Sequence, residues 1–357
     1  MVPTPFIIIG SGWRSEFYLR IAREIPDRFA AAAMLIRDPA KAQRYETAFA
    51  VRTHRNLDDL LRSTRPLFAV VCVAKNATAS VLAELAVRKI PILCETPPAP
   101  DLAGLDQVNQ LTAAGARIQV AEQYVFQPMH AARLAVARSG LLGAVSQAQV
   151  SFSQSYHGIS LIRRYLGVGF DSVKITAKKF TSPIFQGPSR AGPPAEEKII
   201  PCPQTLAWLD WGDRLGVFDF AHDQHRSYVR SDRVLIRGER GEINQTRVRH
   251  LLDFRTPMEF ELHRVDAGQD GNLEGHHHKG VVGAAQWWYE NPFLPARLFD
   301  DEIAVATCLE KMSVYAAGGA DFYSLAEASH DMYLGLMMDQ AAEEEKTIEV
   351  QPRPWAK

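Results

Sequence analysis

The hydrophobic pattern changes character once along the chain. In the first third, short unbroken apolar runs alternate with segments whose apolar residues recur at helical spacing. The runs Phe6–Ile9, Ala31–Ile36, Phe68–Val73, Ile90–Cys94 and Arg117–Val120 predict strands buried on both faces, as in a parallel sheet. The stretches between them predict helices, about Ser15–Ile25, Pro39–Ala48, Leu57–Ser63, Ala77–Arg88 and Leu102–Ala113. Asp38-Pro39 supplies an N-cap followed by proline at the first helical position, and Asp101 caps the helix after a proline-rich loop. Strand and helix in strict alternation predict a doubly wound parallel sheet.

Near residue 122 the rhythm gives way. A helix is expected over Pro128–Ser139, ending at Gly140, then a strand over Ala144–Phe152 and a short helix about Gly158–Leu166. From Asp171 the pattern is mostly β, with strands expected around Val173–Ile184, Gln204–Trp211, Gly216–Ala221, Arg226–Val229, Val234–Arg237 and Met258–Val265. Gln186–Glu197 reads as a loop, and Gly238-Glu239-Arg240-Gly241 as a turn between strands. Helices return over Asp300–Ala316 and about Ser324–Glu345. The expected architecture is an α/β domain over residues 1–122, followed by an α+β domain over residues 123–357. The second domain should hold a large, mostly antiparallel open sheet with helices on one side.

Composition narrows the function classes. The 357 residues carry 40 Lys+Arg against 41 Asp+Glu, so no basic field draws the chain to nucleic acid. Cys72, Cys94, Cys202 and Cys308 are scattered and form no C-x-x-C pair, which points away from zinc and from a disulfide framework. No apolar run approaches the ~18 residues of a membrane span, and the N-terminus lacks a basic, cleavable leader. A soluble cytoplasmic protein is expected.

Phe6-Ile7-Ile8-Ile9-Gly10-Ser11-Gly12-Trp13-Arg14-Ser15 carries the clearest chemistry. It reads as a buried strand turning into a helix through glycines. Gly10 can make the tight turn, and Gly12 admits a pyrophosphate close to the backbone. The helix that follows directs N–H groups and a partial positive charge at that phosphate. Ser15 stands where a dinucleotide fingerprint has a third Gly or Ala, and it is small enough for close helix–strand packing. The alternative is a structural βα turn without a ligand.

Further segments, in order, make the chain resemble the Gfo/Idh/MocA oxidoreductases, relatives of glucose–fructose oxidoreductase and inositol dehydrogenase. They are the glycine turn; Asn56-Leu57-Asp58-Asp59-Leu60-Leu61; Ile92-Leu93-Cys94-Glu95-Thr96-Pro97 at the family's Glu-Lys-Pro motif; Pro128 with Gly140-Leu141-Leu142-Gly143; Ile236-Arg237-Gly238-Glu239-Arg240-Gly241-Glu242-Ile243; and Tyr323-Ser324-Leu325-Ala326-Glu327-Ala328 with Asp331. The resemblance implies a Rossmann domain, a sheet-based substrate domain and a nicotinamide cofactor between them. It implies cofactor contacts from Gly10, Ser11, Gly12, Trp13, Arg14, Ala74, Asn76, Glu95 and Thr96, and a homodimer or homotetramer formed through the C-terminal sheet.

The second strand refines the cofactor. It ends Leu35-Ile36-Arg37-Asp38, placing Arg37 where an NAD site has an acid for the ribose hydroxyls. A guanidinium there would pair with a 2′-phosphate, with help from Arg14, and the expected cofactor is NADP. NAD remains the alternative, with Asp38 folded back to the ribose and Arg37 solvated.

The catalytic pattern that the resemblance implies is incomplete. Thr96 stands at the lysine position, and Ser153 stands where an aspartate precedes the family's histidine. His157 aligns with that histidine, in a segment shorter than the family's. His157 as acid/base and Tyr124 as proton donor are the catalytic candidates, each against a packing role. Lys75 is a further candidate for phosphate or substrate.

No metal site is expected. His276-His277-His278 reads as a loop, and His222 and His225, in an alternating strand, would point to opposite faces. Trp287-Trp288-Tyr289 could line a cleft or an oligomer contact. The leading expectation is an NADP-dependent reductase or dehydrogenase acting on a small sugar-like, carbonyl or imine substrate. The alternatives are a non-catalytic NAD(P)-binding sensor, and a hydrolase or lyase with a redox-cycling nicotinamide.

Overall fold

The computed structural model describes residues 2–271 and 273–356. Its elements run β1 (Thr4–Ile9), α1 (Trp13–Glu24), β2 (Phe29–Leu35), α2 (Pro39–Phe49), β3 (Thr53–His54), α3 (Leu57–Ser63), β4 (Phe68–Val71), α4 (Lys75–Val87), β5 (Ile92–Cys94), α5 (Leu102–Ala113) and β6 (Ile118–Val120). They continue through α6 (Pro128–Arg138), β7 (Val145–Ser151), α7 (Ser155–Leu166), β8 (Val173–Phe185), β9 (Ile199–Asp210), β10 (Leu215–Ala221), β11 (Arg233–Gly238), β12 (Gly241–Asn244), β13 (Arg247–Leu251) and β14 (Pro257–Glu261). The last are β15 (His263–Asp266), β16 (His278–Gly283), β17 (Gln286–Glu290), α8 (Asp300–Ala316), α9 (Leu325–Glu344) and β18 (Ile348–Val350).

β1 to β6 form a parallel sheet in the order β3-β2-β1-β4-β5-β6. Its central residues Phe6, Ile7, Ile8, Phe68, Ala69 and Val70 have no solvent exposure, which is why their sequence shows no polar alternation. A second sheet runs β14-β13-β12-β11-β7-β10-β9-β8-β18, with β7 and β10 parallel and the other pairings antiparallel. β15, β16 and β17 form a third, small sheet. The expected fold class, a doubly wound parallel sheet followed by a large, mostly antiparallel sheet with helices, is the one observed.

The chain does not divide at a single point near residue 122. One compact unit comprises Met1–Pro128, Val265–Gly280 and Glu290–Ser329; the other comprises Met129–Arg264, Val281–Tyr289 and His330–Lys357. The return of α8 to the first unit has a topological cause. Right-handed crossovers put α1 on one face of the sheet, beside β1 and β2, and put α4 and α5 on the other. The β4 end of α1's face would be bare, and α8 packs there against α1 and β4.

In the second unit, α7 lies on β7 and β10. The approach is close enough that a Cβ at Gly158 would sit 2.5 Å from the ring of Phe218. Buried Arg163 of α7 pairs with Asp331 of α9 at 2.6 Å and donates to the carbonyl of Gly169 at 2.9 Å.

Several elements differ from expectation. Arg226–Val229 is not a strand: Gln224–Arg226 make one 3-10 turn, fixed by the buried amide of Gln224 on the carbonyls of Ser151 (2.7 Å) and Ser231 (3.1 Å). His222 and His225 therefore lie past the end of β10, outside any alternating strand. Met258–Val265 is two strands in two sheets, broken at Leu262. His278 leaves the expected loop to begin β16, its Nδ1 lying 2.7 Å from Asp266 Oδ1.

Candidate functional site

The glycine turn is built as its sequence suggests. Gly10 has φ +113°, and a Cβ there would lie 2.2 Å from the carbonyl oxygen of Cys72. β1 thus ends pressed against the residue that follows β4, which only glycine allows. Gly12 is the N-cap of α1 and makes no side-chain cap. A Cβ there would meet only Cys72 O, at 3.8 Å, so the space beside its backbone is open. The turn's carbonyls are tied back. Tyr45 OH donates to the carbonyls of Ser11 (3.1 Å) and Gly12 (3.2 Å), and buried Ser15 Oγ also donates to Gly12 O. Ser15 therefore does more than fit: it fixes the turn with its acceptors turned inward.

α4 repeats the arrangement. Its N-cap Ala74, just after β4, has no side-chain cap, and Lys75 and Asn76 are exposed in its first turn. The other helices of this sheet are capped. Asp38 Oδ1 accepts from the N–H groups of Ala40 (2.9 Å) and Lys41 (3.0 Å) on α2. Asn56 accepts from Asp59 N on α3 and Asp101 from Gly104 N on α5, both at 2.8 Å. The two uncapped N-termini flank β1 and β4, where the crossovers reverse direction and open sheets of this kind bind ligands. Gly10, Ser11, Gly12, Ala74 and Asn76 thus meet at one edge. Uncapped backbone donors and an open glycine cradle fit a dinucleotide diphosphate.

At the end of β2, Arg37 is exposed. Its neighbour Asp38 is committed to the α2 cap, and the backbone N–H bonds it accepts from Lys41 and Ala40 hold its carboxyl below the usual range. A second guanidinium, which the sequence did not single out, stands by. Arg55 Nη1 donates to the carbonyl of Ile36 at 3.2 Å and to Thr53 Oγ1 at 2.9 Å.

Arg14 is turned elsewhere than its expected place beside a 2′-phosphate. Its Nε donates to Glu95 Oε2 at 3.2 Å and its Nη1 to Asp301 Oδ2 at 3.3 Å, while buried Nη2 finds no acceptor. Burial works against the guanidinium, but Glu95 and Asp301 outweigh it and raise its pKa. Tyr18 OH donates to Glu95 Oε1 at 2.6 Å, and burial, then Glu95, pushes that phenol well above its ordinary value. Gln127 Nε2 donates to Asp301 Oδ1 at 3.1 Å. Glu95 is thus held by two partners at the end of β5, with Thr96 directly after it. Sequence reasoning missed Tyr18, Gln127 and Asp301; the acidic run Asp300-Asp301-Glu302 at a helix start was the available signal.

Tyr124 is half-buried in a 3-10 turn, Tyr124–Phe126, its N–H donating to Glu122 Oε1 at 3.3 Å. In the second unit, His157 is buried in the first turn of α7, with its ring centroid 4.3 Å from that of Tyr156 and its carbonyl accepting Ser160 Oγ at 2.8 Å. Ser153 Oγ is buried without a hydrogen-bond partner. No group of three or more His, Cys, Asp or Glu residues is placed to hold a metal among the described residues. All four cysteines are buried and free.

Residues 5–122 match the family described as Oxidoreductase family, NAD-binding Rossmann fold (GFO_IDH_MocA). Solved structures share the fold along the whole chain. An oxidoreductase from Agrobacterium radiobacter, in complex with NAD+, L-tartaric acid and magnesium, is 17% identical, with TM-score 0.67 over 97% of this chain and 98% of that one. An NAD binding oxidoreductase from Klebsiella pneumoniae is 13% identical, with TM-score 0.68 over 98% and 100%. Levoglucosan dehydrogenase in complex with NADH is 12% identical, with TM-score 0.70 over 98% and 100%. At such identities the likeness shows the fold alone. No curated protein matches the chain.

Proposed function

We propose, on the match of residues 5–122 to the NAD-binding Rossmann fold of the Gfo/Idh/MocA oxidoreductase family, that the chain is an NADP-preferring oxidoreductase acting on a small carbonyl, imine or sugar-like alcohol. The carrying observation is the pair of uncapped helix N-termini around Gly10 and Gly12, with Arg37 exposed at the end of β2. A nicotinamide dinucleotide bound there supplies or accepts the hydride. The chain's own residues do the rest. The first turns of α1 and α4 hold the diphosphate, and Arg37, with Arg55 behind it, takes the 2′-phosphate. The cap formed by Asp38 Oδ1 supports NADP over NAD, because it holds the carboxylate on the start of α2.

Thr96 cannot exchange a proton near neutral pH, so that task falls to His157 or Tyr124. A second reading, a non-catalytic NAD(P)-binding sensor, draws on Thr96 and Ser153 at the positions of the family's lysine and aspartate. The uncovered face of the large sheet exposes Phe180 and Trp208, which supports a homodimer or homotetramer through that face.

Calorimetric titration with NADPH and NADH tests the cofactor. Arg37→Ala should weaken NADPH by about tenfold or more and leave NADH nearly unchanged; equal losses would sink the 2′-phosphate assignment. Absorbance at 340 nm with carbonyls, imines and polyols separates enzyme from sensor. NADPH bound but never consumed favours the sensor. In an active preparation, His157→Ala should lower kcat at least about tenfold with NADPH affinity unchanged, and an unchanged kcat gives the role to Tyr124.

A further inference from the structure

Beside the glycine turn stands more exposed aromatic surface than holding a dinucleotide requires. Trp13, the first residue of α1, is 45% exposed, and Phe299, the N-cap of α8, is 52% exposed. Phe17 lies between them, edge-on to both, with ring centroids 5.1 Å from Trp13 and 5.7 Å from Phe299. The guanidiniums of Arg14 and Arg20 each lie 4.6 Å from the centroid of Phe17, which stiffens the middle of the row.

Position within the first unit decides what this row can touch. α8 packs on α1 and β4, and Asp301 in its first turn reaches Arg14 in the first turn of α1. Both helices therefore start at the carboxyl edge of the sheet, where the dinucleotide crevice lies. β2 and β3 lie to one side of β1, with Arg37 marking the adenosine half. α8 lies toward β4, on the other side of β1 from Arg37, where the far end of a bound dinucleotide would reach. Trp13 and Phe299 thus stand at the part of the crevice away from Arg37.

The chemistry of the row is unsuited to a polyol. Hydroxyls need several exposed donors and acceptors, and the polar groups here, buried Nη2 of Arg14 apart, already serve one another: Asp301 holds Arg14 and Gln127, Glu302 holds Arg20 at 2.6 Å, and Glu95 holds Tyr18 and Arg14. Exposed aromatic faces gain most by covering another flat, weakly hydrated ring.

We propose that Trp13 and Phe299, braced by buried Phe17 between them, form a platform for a substrate whose reacting C=O or C=N bond is conjugated to a planar aromatic or heteroaromatic ring. The proposal rests on the reading of the crevice as an NADP site. In the reductive direction NADPH would supply a hydride to the carbon and be left as NADP+, the π bond would break, and its electron pair on oxygen or nitrogen would take a proton from His157 or Tyr124.

Calorimetry on the NADP+-loaded protein, with 2-naphthamide as an unreactive probe, reads the platform without turnover. Wild type should bind the probe. Phe299→Ala should weaken it about tenfold while NADPH affinity stays within about twofold, and Trp13→Phe should retain most of the binding. Phe299→Leu, which keeps apolar bulk at the start of α8, should fall between and guards against a loss caused by misfolding. NADPH should be consumed with 2-naphthaldehyde or 3,4-dihydroisoquinoline, and NADP+ should not be reduced by myo-inositol or glucose.

Wild type that binds NADPH but not 2-naphthamide, or Phe299→Ala that binds it as well as wild type, overturns the platform and leaves the cofactor reading standing. Phe299→Ala that dissociates an oligomer with the probe still bound makes the row a subunit contact, and also overturns it. Wild type that fails to bind NADPH removes the cofactor reading, and the platform with it.

Discussion

The first turns of α1 and α4 leave backbone donors uncapped at the protein surface, whereas several side-chain groups of both units, those of the second unit most fully, lie in the core without partners. There, both ring nitrogens of His330, Nε2 of His130 and Oγ of Ser153 are buried without hydrogen-bond partners. The contrast separates two uses of an unsatisfied polar group. Exposed backbone donors cost little while water serves them, and they are ready for an anion. A buried imidazole without partners is held neutral by burial, with Arg163 reinforcing the effect, and its pKa falls to about 3. Its cost appears as a dependence of stability on pH.

Four substitutions press on this contrast. The largest effect belongs to Gly10→Ala, where φ +113° and a Cβ 2.2 Å from Cys72 O leave no room for relaxation. About 3 kcal/mol or more of stability should be lost, read from urea unfolding at pH 7; an unchanged midpoint would mean that the turn is not under this constraint.

His330 should be next, with a sign that follows from its depressed pKa. Above pH ~6.5 both folded and unfolded forms are neutral and nothing is lost. As pH falls, the unfolded chain takes up a proton that the folded one refuses until about pH 3, so stability drops across that window. The loss approaches about 1.4 kcal/mol per pH unit at its steepest. His330→Phe should show a shallower decline between pH 6.5 and 4 than wild type, and identical slopes would rule out the histidine as its source.

A smaller effect is expected from giving α4 the cap it lacks. Ala74→Asp should raise stability by about 0.5–1 kcal/mol and weaken NADPH about tenfold, because a carboxylate then occupies the phosphate's place. Asp101→Ala on α5 is the mirror case: a loss of about 1 kcal/mol with NADPH affinity unchanged. If Ala74→Asp leaves NADPH affinity intact, the uncapped start of α4 is not part of the cradle.

What could be read from the chain follows the same physics. β1, β4 and β5 announce themselves because burial on both faces permits nothing but apolar residues. β13 was not anticipated as a strand, since it carries charge toward solvent: Arg247-Val248-Arg249 reads as polar until Glu259 and Glu261 on β14 are seen opposite. Gly10, Gly12 and Arg37 were legible as candidates because local backbone geometry and strand position fix where they stand. Arg14 was placed in the right turn and given the wrong neighbour. Its direction depends on Asp301, 287 residues away, and on Glu95. Tyr18 and Gln127 owe their roles to the same long-range meeting, which no local pattern encodes.

The grip of Arg14 and Tyr18 on Glu95 bears on how this site could change over generations. A lysine introduced at Thr96 alone would set a second cation beside a carboxylate already shared, next to a guanidinium that cannot shed its charge. Removing Arg14 alone would strand Glu95 and Asp301 in a partly buried setting without their cation. Of the two, losing Arg14 is the more costly step, because two carboxylates then face a partly buried site with no cation between them.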